Sequence, residues 1–238
     1  MDKHTIQKII ELNKKLYTDP NSKFSQSRNY YWKSFNKISE YIKEEDRVLD
    51  IGCGNGRLGE YLYNKFTRLE YVGIDFSEIL LNDAKSKLEP FTNFELIQVD
   101  ITDENWVRKL PVTKFDIITL LATLHHIPSF QLRTNVLKSI ARLLKKTSYL
   151  IISNWQPEIK LIGKKIVQPD KFDITSEELE KNDYIIDWKS GFGGFRYIHI
   201  ITNEEMHEYA TNLGLTIQHT FRSEKNMNIY HILRVTDS

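Results

Sequence analysis

Cysteine is almost absent from this sequence: Cys53 is the only one in 238 residues. A lone thiol excludes an internal disulfide, so a packed core must hold the chain, and it fits a reducing compartment. No apolar run approaches the ~18 residues needed to span a bilayer. Met1–Lys15 lacks the charged segment followed by an apolar one that marks a secretory signal, so the expectation is a cytoplasmic chain with no membrane partner. Charge of either sign is also missing in excess, since 33 Lys and Arg face 32 Asp and Glu for a net +1. The whole molecule therefore does not attract nucleic acid by its net field. Local basic clusters exist nonetheless, at Arg133, Lys138, Arg142, Lys145 and Lys146 and at Lys160, Lys164, Lys165 and Lys171. They read either as solvated helix faces or as a stripe that grips phosphates. No Cys/His/carboxylate spacing marks a metal site.

What is present suffices for one globular domain, with 40% hydrophobic and 27% charged residues. Apolar positions recur at helical spacing over residues 5–17 and 24–43, separated by Asp19–Ser22. Short β-branched runs follow at Arg47–Ile51, Glu70–Ile74, Phe94–Val99, Phe115–Leu121 and Tyr149–Ser153. Helices are expected between them at 57–66, 77–88, 103–109 and 129–145. Strands without polar alternation belong to a parallel sheet covered on both faces, so the fold class is α/β, a doubly wound, Rossmann-like sheet. The rhythm breaks after the fifth strand. Thr202–Glu205 then reads as a capping box, Gly214 as a helix stop, and 215–221 with 228–235 as a closing antiparallel hairpin that brings the sheet to seven strands. The expected organisation is a helical cap (1–45), a core that binds the ligand (46–154), an insert on the substrate side (155–195) and a C-terminal part of the sheet (196–238).

The densest signal is Val48-Leu49-Asp50-Ile51-Gly52-Cys53-Gly54-Asn55-Gly56, which crowds glycines into a strand-to-helix turn. Glycine there permits positive φ and lets a ligand touch bare backbone, and such a turn is where this architecture binds ligands. A dinucleotide site needs G-x-G-x-x-G, but here the spacing is G-x-G-x-G. Asp50, two residues before the first glycine, would repel a pyrophosphate and suits a ligand with a positively charged amino group, such as S-adenosylmethionine. Asp75 ends the second strand, where an acid binds ribose hydroxyls. Asp100 ends the third, where it can accept from an adenine amino group while Ile101 packs on the ring. Each acid could alternatively cap the helix that follows.

The stretches DIGCGNGRLG, GIDFS, QVDI and LLATLHHIP together resemble the four cofactor motifs of class I S-adenosylmethionine-dependent methyltransferases. The resemblance covers about residues 46–153. It implies that Asp50, Gly52 and Gly54 lie near the methionyl part of S-adenosylmethionine and Asp75 near the ribose, with Asn55 and Phe76 also at the cofactor. Asp100 and Ile101 would lie at adenine, backbone at Leu121 and Ala122 would touch the methionine end, and S-adenosylhomocysteine would be the product. Cys53 reads as packing rather than as a nucleophile.

For the acceptor, the histidine pair His125-His126 ends the fourth strand. His125 reads as packing; His126 is either a base or a group that closes the pocket. Phe24-Ser25-Gln26-Ser27-Arg28 and Arg196-Tyr197-Ile198-His199 resemble the tRNA methyltransferases that esterify 5-carboxymethyluridine at the wobble position. By that resemblance Arg28, Arg196, Tyr197 and His199 line the acceptor pocket, with an arginine pairing a carboxylate or phosphate. Arg28 also counts among the residues expected at the cofactor, with its helix as a lid or as a cover for the sheet edge. If 196–201 is extended, Arg196 and Ile198 share one face while Tyr197 and His199 share the other. Some members of that subfamily act with a small zinc-binding activator subunit. A small-molecule or other RNA acceptor on the same fold, and an inactive cofactor-binding partner subunit, are the alternatives.

Overall fold

The computed structural model describes residues 1–19, 30–188, 194–223 and 226–236. Five parallel strands open the main sheet: β1 (Arg47–Ile51), β2 (Glu70–Asp75), β3 (Phe94–Gln98), β4 (Phe115–Leu121) and β5 (Leu144–Trp155). The antiparallel pair β9 (Leu215–Arg222) and β10 (Asn228–Val235) completes it, in the order β3-β2-β1-β4-β5-β10-β9. Strand order reverses between β1 and β4, which places a crevice beyond their carboxyl ends.

Alternation along β1 builds two cores. Leu49 and Ile51 face Ile118, Leu120, Leu137 and Met206, whereas Val48 faces Leu58, Leu62, Ile117 and Phe35. The helices supplying these layers are α2 (Ser34–Ser39), α3 (Arg57–Tyr63), α4 (Glu78–Leu88), α5 (Phe130–Ala141) and α7 (Asn203–Asn212). Their caps follow local chemistry: Ser77 accepts from the Leu80 amide and Thr202 from that of Glu205, while Gly214, at φ +63°, stops α7.

Three expectations are corrected by tertiary contacts. Of the helical spacing read over 24–43, the described residues 30–43 form regular α-helix only at Ser34–Ser39, and Pro20–Asn29, with Arg28, lie outside the described residues. The helix expected to reach residue 145 ends at Ala141, because Leu144 already pairs with Phe115 and β5 begins there. The segment 196–201 does not extend the main sheet. β8 (Phe195–His199) instead joins β6 (Ile166–Val167) and β7 (Asp183–Asp187) in a separate sheet, order β6-β7-β8, built from the region read as an irregular insert. A short helix α6 (Ile159–Ile162) leads into it, and α1 (Lys3–Thr18) packs across β8. Among the described residues no helix is long and apolar enough to cross a membrane.

Candidate active site

A cavity of about 460 Å³ opens at the strand-order reversal, a size that suits a small ligand or cofactor. Its floor is the glycine turn. Gly52, Gly54 and Gly56 take φ of +72°, +55° and +75°, which side chains rarely adopt. A methyl group on Gly54 would meet nothing within 4 Å, so that backbone lies open for a ligand to approach. Asn55 and Cys53 also line the cavity, and Cys53 is a buried thiol whose pKa burial pushes up, in keeping with packing.

Asp75 is the best-placed acid. Its carboxylate accepts from the Gly54 and Ser77 amides, both at 2.9 Å, and borders the cavity beside Phe76. Burial pushes its pKa up to about 6 despite those two bonds. Four lone-pair sites minus two amide bonds leave acceptor capacity toward the ligand space. Asp100 and Ile101 line the next wall. Burial raises the Asp100 pKa, but bonds from Lys14 Nζ (2.6 Å) and from Thr102 outweigh it and hold the carboxyl below its usual value.

Asp50 is placed differently from the expectation. It does not line the cavity, because β1 turns its side chain toward α3. There Tyr71 Oη and Thr119 Oγ1 donate to its two oxygens, each at 2.7 Å, and burial raises its pKa. Gly73, its partner across β2, leaves the room the Tyr71 ring needs to reach it. Asp50 thus ties β1, β2 and β4 together beneath the turn.

On the far wall, Leu121 and Ala122 leave β4 with Ala122 at φ +51°, a conformation costing about 1–2 kcal/mol for a residue with a Cβ. Its amide donates to the Ser153 carbonyl (2.9 Å) and hydroxyl (3.0 Å), which hold it there. His126 follows, with Nδ1 donating to the Tyr197 carbonyl (3.1 Å); in the neutral ring Nε2 then accepts from the Tyr17 hydroxyl at 3.1 Å. Both nitrogens are engaged by protein groups. His125 is buried, accepts from the Trp155 amide, and has its pKa pushed down to about 3 by burial, with the Arg196 charge adding to the effect.

Arg196 enters the cavity from β8. Its guanidinium carbon lies 4.1 Å from the Trp188 ring centre and 5.3 Å from that of Trp155. The residue is 5% exposed, and its Nε finds no hydrogen-bond partner among the described residues. Tyr197 and His199 point the other way, as strand alternation requires, and do not line this cavity. The Tyr197 hydroxyl donates to Asp183 at 2.7 Å, and His199 bridges Asp183 (2.6 Å) and Glu205 (2.7 Å). Their expected place at the acceptor is therefore corrected: they belong to a buried network with Arg133, whose Nη2 reaches Glu180 at 2.9 Å. Glu180, Asp183 and His199 are close enough to hold a metal ion, but each is already engaged by protein groups, Glu180 by Arg133 and the Phe130 amide and Asp183 by the Glu180 amide, Tyr197 and His199. Sequence reasoning missed Asn13, Lys14, Tyr17, Trp155 and Trp188. Only Asn13 carried a signal, a polar residue within the buried stripe Thr5, Ile9, Asn13, Leu16 of α1.

A doubly wound sheet with a G-x-G-x-G turn and acids at successive strand ends is the arrangement expected of an S-adenosylmethionine-dependent methyltransferase. Residues 42–212 match the methyltransferase domain family, and the chain belongs to it. A protein of Encephalitozoon cuniculi named as a methyltransferase is 26% identical over 204 residues, 85% of this chain and 86% of that one. The mouse tRNA (carboxymethyluridine(34)-5-O)-methyltransferase is 28% identical over 185 residues, covering 71% of this chain but only 26% of its own length. In three dimensions, an S-adenosylmethionine-dependent methyltransferase from Clostridium acetobutylicum superposes with a TM-score of 0.65 at 18% identity, over 90% of this chain and 96% of that one. The 1,6-didemethyltoxoflavin N1-methyltransferase of Burkholderia thailandensis reaches 0.65 at 14% identity over 100% and 92% of the two chains.

Proposed function

We propose that the cavity seats S-adenosylmethionine along the glycine turn and that the acceptor is a carboxylate held by Arg196, that of 5-carboxymethyluridine in tRNA. The residues present fit the cofactor: Gly54 is bare toward the cavity, Asp75 has acceptor capacity for two ribose hydroxyls, and Ile101 and Asp100 line the cavity and offer an apolar face and an acceptor for an adenine. When bound, S-adenosylmethionine supplies an electrophilic methyl group whose bond to sulfur breaks as the acceptor oxygen bonds to it, leaving an ester and a thioether.

The observation that carries the acceptor reading is the buried Arg196 guanidinium with its unpartnered Nε. A buried cation with an unmet donor is costly unless an anion completes it. A carboxylate is ionised near neutral pH and needs no base, in accord with a site where His125 stays neutral and both nitrogens of His126 are engaged. The protein then has only to orient the acceptor and exclude water. Arg196 orients, Trp155 and Trp188 fix its fork by stacking, and α1 closes the opposite side.

The resemblance of the Arg196-Tyr197-Ile198-His199 stretch and the similarity to the mouse enzyme support tRNA as the carrier of that carboxylate. The test is methyl transfer from labelled cofactor to tRNA bearing 5-carboxymethyluridine, with and without a small zinc-binding activator subunit. Unmodified tRNA and a panel of phenols, amines and small carboxylates serve as comparison. Transfer to the modified tRNA alone is the expected result. Transfer only to phenols or amines overturns the carboxylate assignment, and transfer only to small carboxylates overturns the RNA.

A further inference from the structure

We propose that Asn13 is a positioning residue that couples the cofactor end of the cavity to Arg196 at the acceptor end. Asn13 sits between Ile9 and Leu16 in the buried stripe of α1 and is 6% exposed. Burying an amide without partners costs several kcal/mol, so its bonds decide whether the helix can seat there. It makes three. Nδ2 donates to the His126 carbonyl at 2.9 Å and to that of Tyr197 at 3.4 Å, and Oδ1 accepts from the Tyr197 amide at 2.9 Å. One side chain thus engages both backbone groups of Tyr197 on the side of β8 turned away from β7, as a neighbouring strand would. The next residue back along β8 is Arg196.

The same helix holds the other end of the cavity. Lys14 pairs with Asp100, the Tyr17 carbonyl accepts from Ser77 Oγ at 2.8 Å, and the Tyr17 ring meets Phe76 edge-on. The C-terminal half of α1 therefore contacts the ends of β2 and β3 through Lys14 and Tyr17 and clips β8 through Asn13. In the proposed coupling an adenine at Asp100 competes with Lys14 for that carboxylate, and α1 shifts in response. Asn13 passes that shift to Tyr197, and so to Arg196. Cofactor and acceptor then bind cooperatively, each raising the other's affinity by the same factor. This rests on the proposed seat of the adenosyl group at Asp75 and Asp100.

The experiment follows the Nε–H resonance of Arg196 by NMR in protein labelled with ¹⁵N-arginine, assigned through its loss in Arg196→Lys, as S-adenosylhomocysteine is added. Calorimetry on the same samples reports binding. In the wild type the resonance is expected to move on saturation. In Asn13→Leu, which keeps helix and bulk but has no amide, the ligand still binds and the resonance stays in place. Should that variant fail to fold, Lys14→Met cuts the same linkage at its other end and is expected to reduce the movement. Equal movement in wild type and variants means that ligand and arginine communicate directly, and it overturns the role of Asn13. An unmoved wild-type resonance at saturation overturns the coupling. The underlying seat is tested separately: Asp75→Asn binding with wild-type affinity refutes that seat, whatever Arg196 does.

Discussion

Asp75→Asn separates two consequences of one carboxylate. Burial pushes the Asp75 pKa from 3.8 to about 6 even with two amides donating to it. Between those values the folded chain keeps a proton that the unfolded chain has lost. The stability attributable to Asp75 is therefore fully present below the unfolded pKa and is lost as pH rises through about 6. At about 1.4 kcal/mol per pK unit, ionising it in place costs about 3 kcal/mol by neutral pH. Asparagine removes that cost but brings one acceptor oxygen to two amides, and the amide left facing an NH₂ group costs about 1–3 kcal/mol. The variant at neutral pH should thus lie within about 2 kcal/mol of the wild type, and the diagnostic is slope rather than level. Urea unfolding across pH should show wild-type stability falling relative to the variant by about 1.4 kcal/mol per unit between the two pKa values. Cofactor binding moves the other way. Loss of charge-assisted bonds to the ribose should weaken S-adenosylhomocysteine by about 1–3 kcal/mol in calorimetry, and wild-type affinity should decline below about pH 6. A stability difference that is flat with pH, together with an unchanged Kd, would refute the reasoning.

Arg196→Lys should impair turnover nearly as much as Arg196→Ala while cofactor affinity holds, because an ammonium cannot reproduce a planar fork stacked between two indoles; a lysine variant close to wild type sinks the carboxylate clamp. His126→Ala should slow transfer by loosening Tyr17 and the Tyr197 carbonyl without moving the pH–rate profile, and a profile that loses a limb in the variant points to general-base chemistry instead. At His199, burial favours the neutral ring, but bonds to Asp183 and Glu205 outweigh it and raise the pKa. The stability it contributes is complete below the unfolded histidine value and fades as pH rises through the higher folded one. His199→Gln should therefore lower Tm most at acid pH and leave measurable turnover below its Tm; loss of turnover in a folded variant restores a catalytic role.

The succession of strands and helices, the glycine turn and the acids at the ends of β2 and β3 were legible from the sequence because near-neighbour spacing controls them. Short apolar runs alternating with helical periods admit few arrangements, and a cluster of glycines between strand and helix has one economical use. The alternation of Arg196 against Tyr197 and His199 was equally local, a consequence of strand geometry. Which of the two faces met the cavity was not local. Tyr197 and His199 are turned away because Asp183 lies 14 and 16 residues before them and completes a buried network with Glu205 and Arg133. Asp50 looked like a ligand-facing acid beside the turn, yet Tyr71 and Thr119, brought alongside by β2 and β4, claim both its oxygens. Asn13 reaches Tyr197 across 184 residues, a contact no spacing rule encodes. Local chemistry determined where a ligand can bind. Only the packing of α1 and the second sheet against that turn decided which side chains meet it, because a buried polar group goes to whichever partner the fold brings within hydrogen-bond reach.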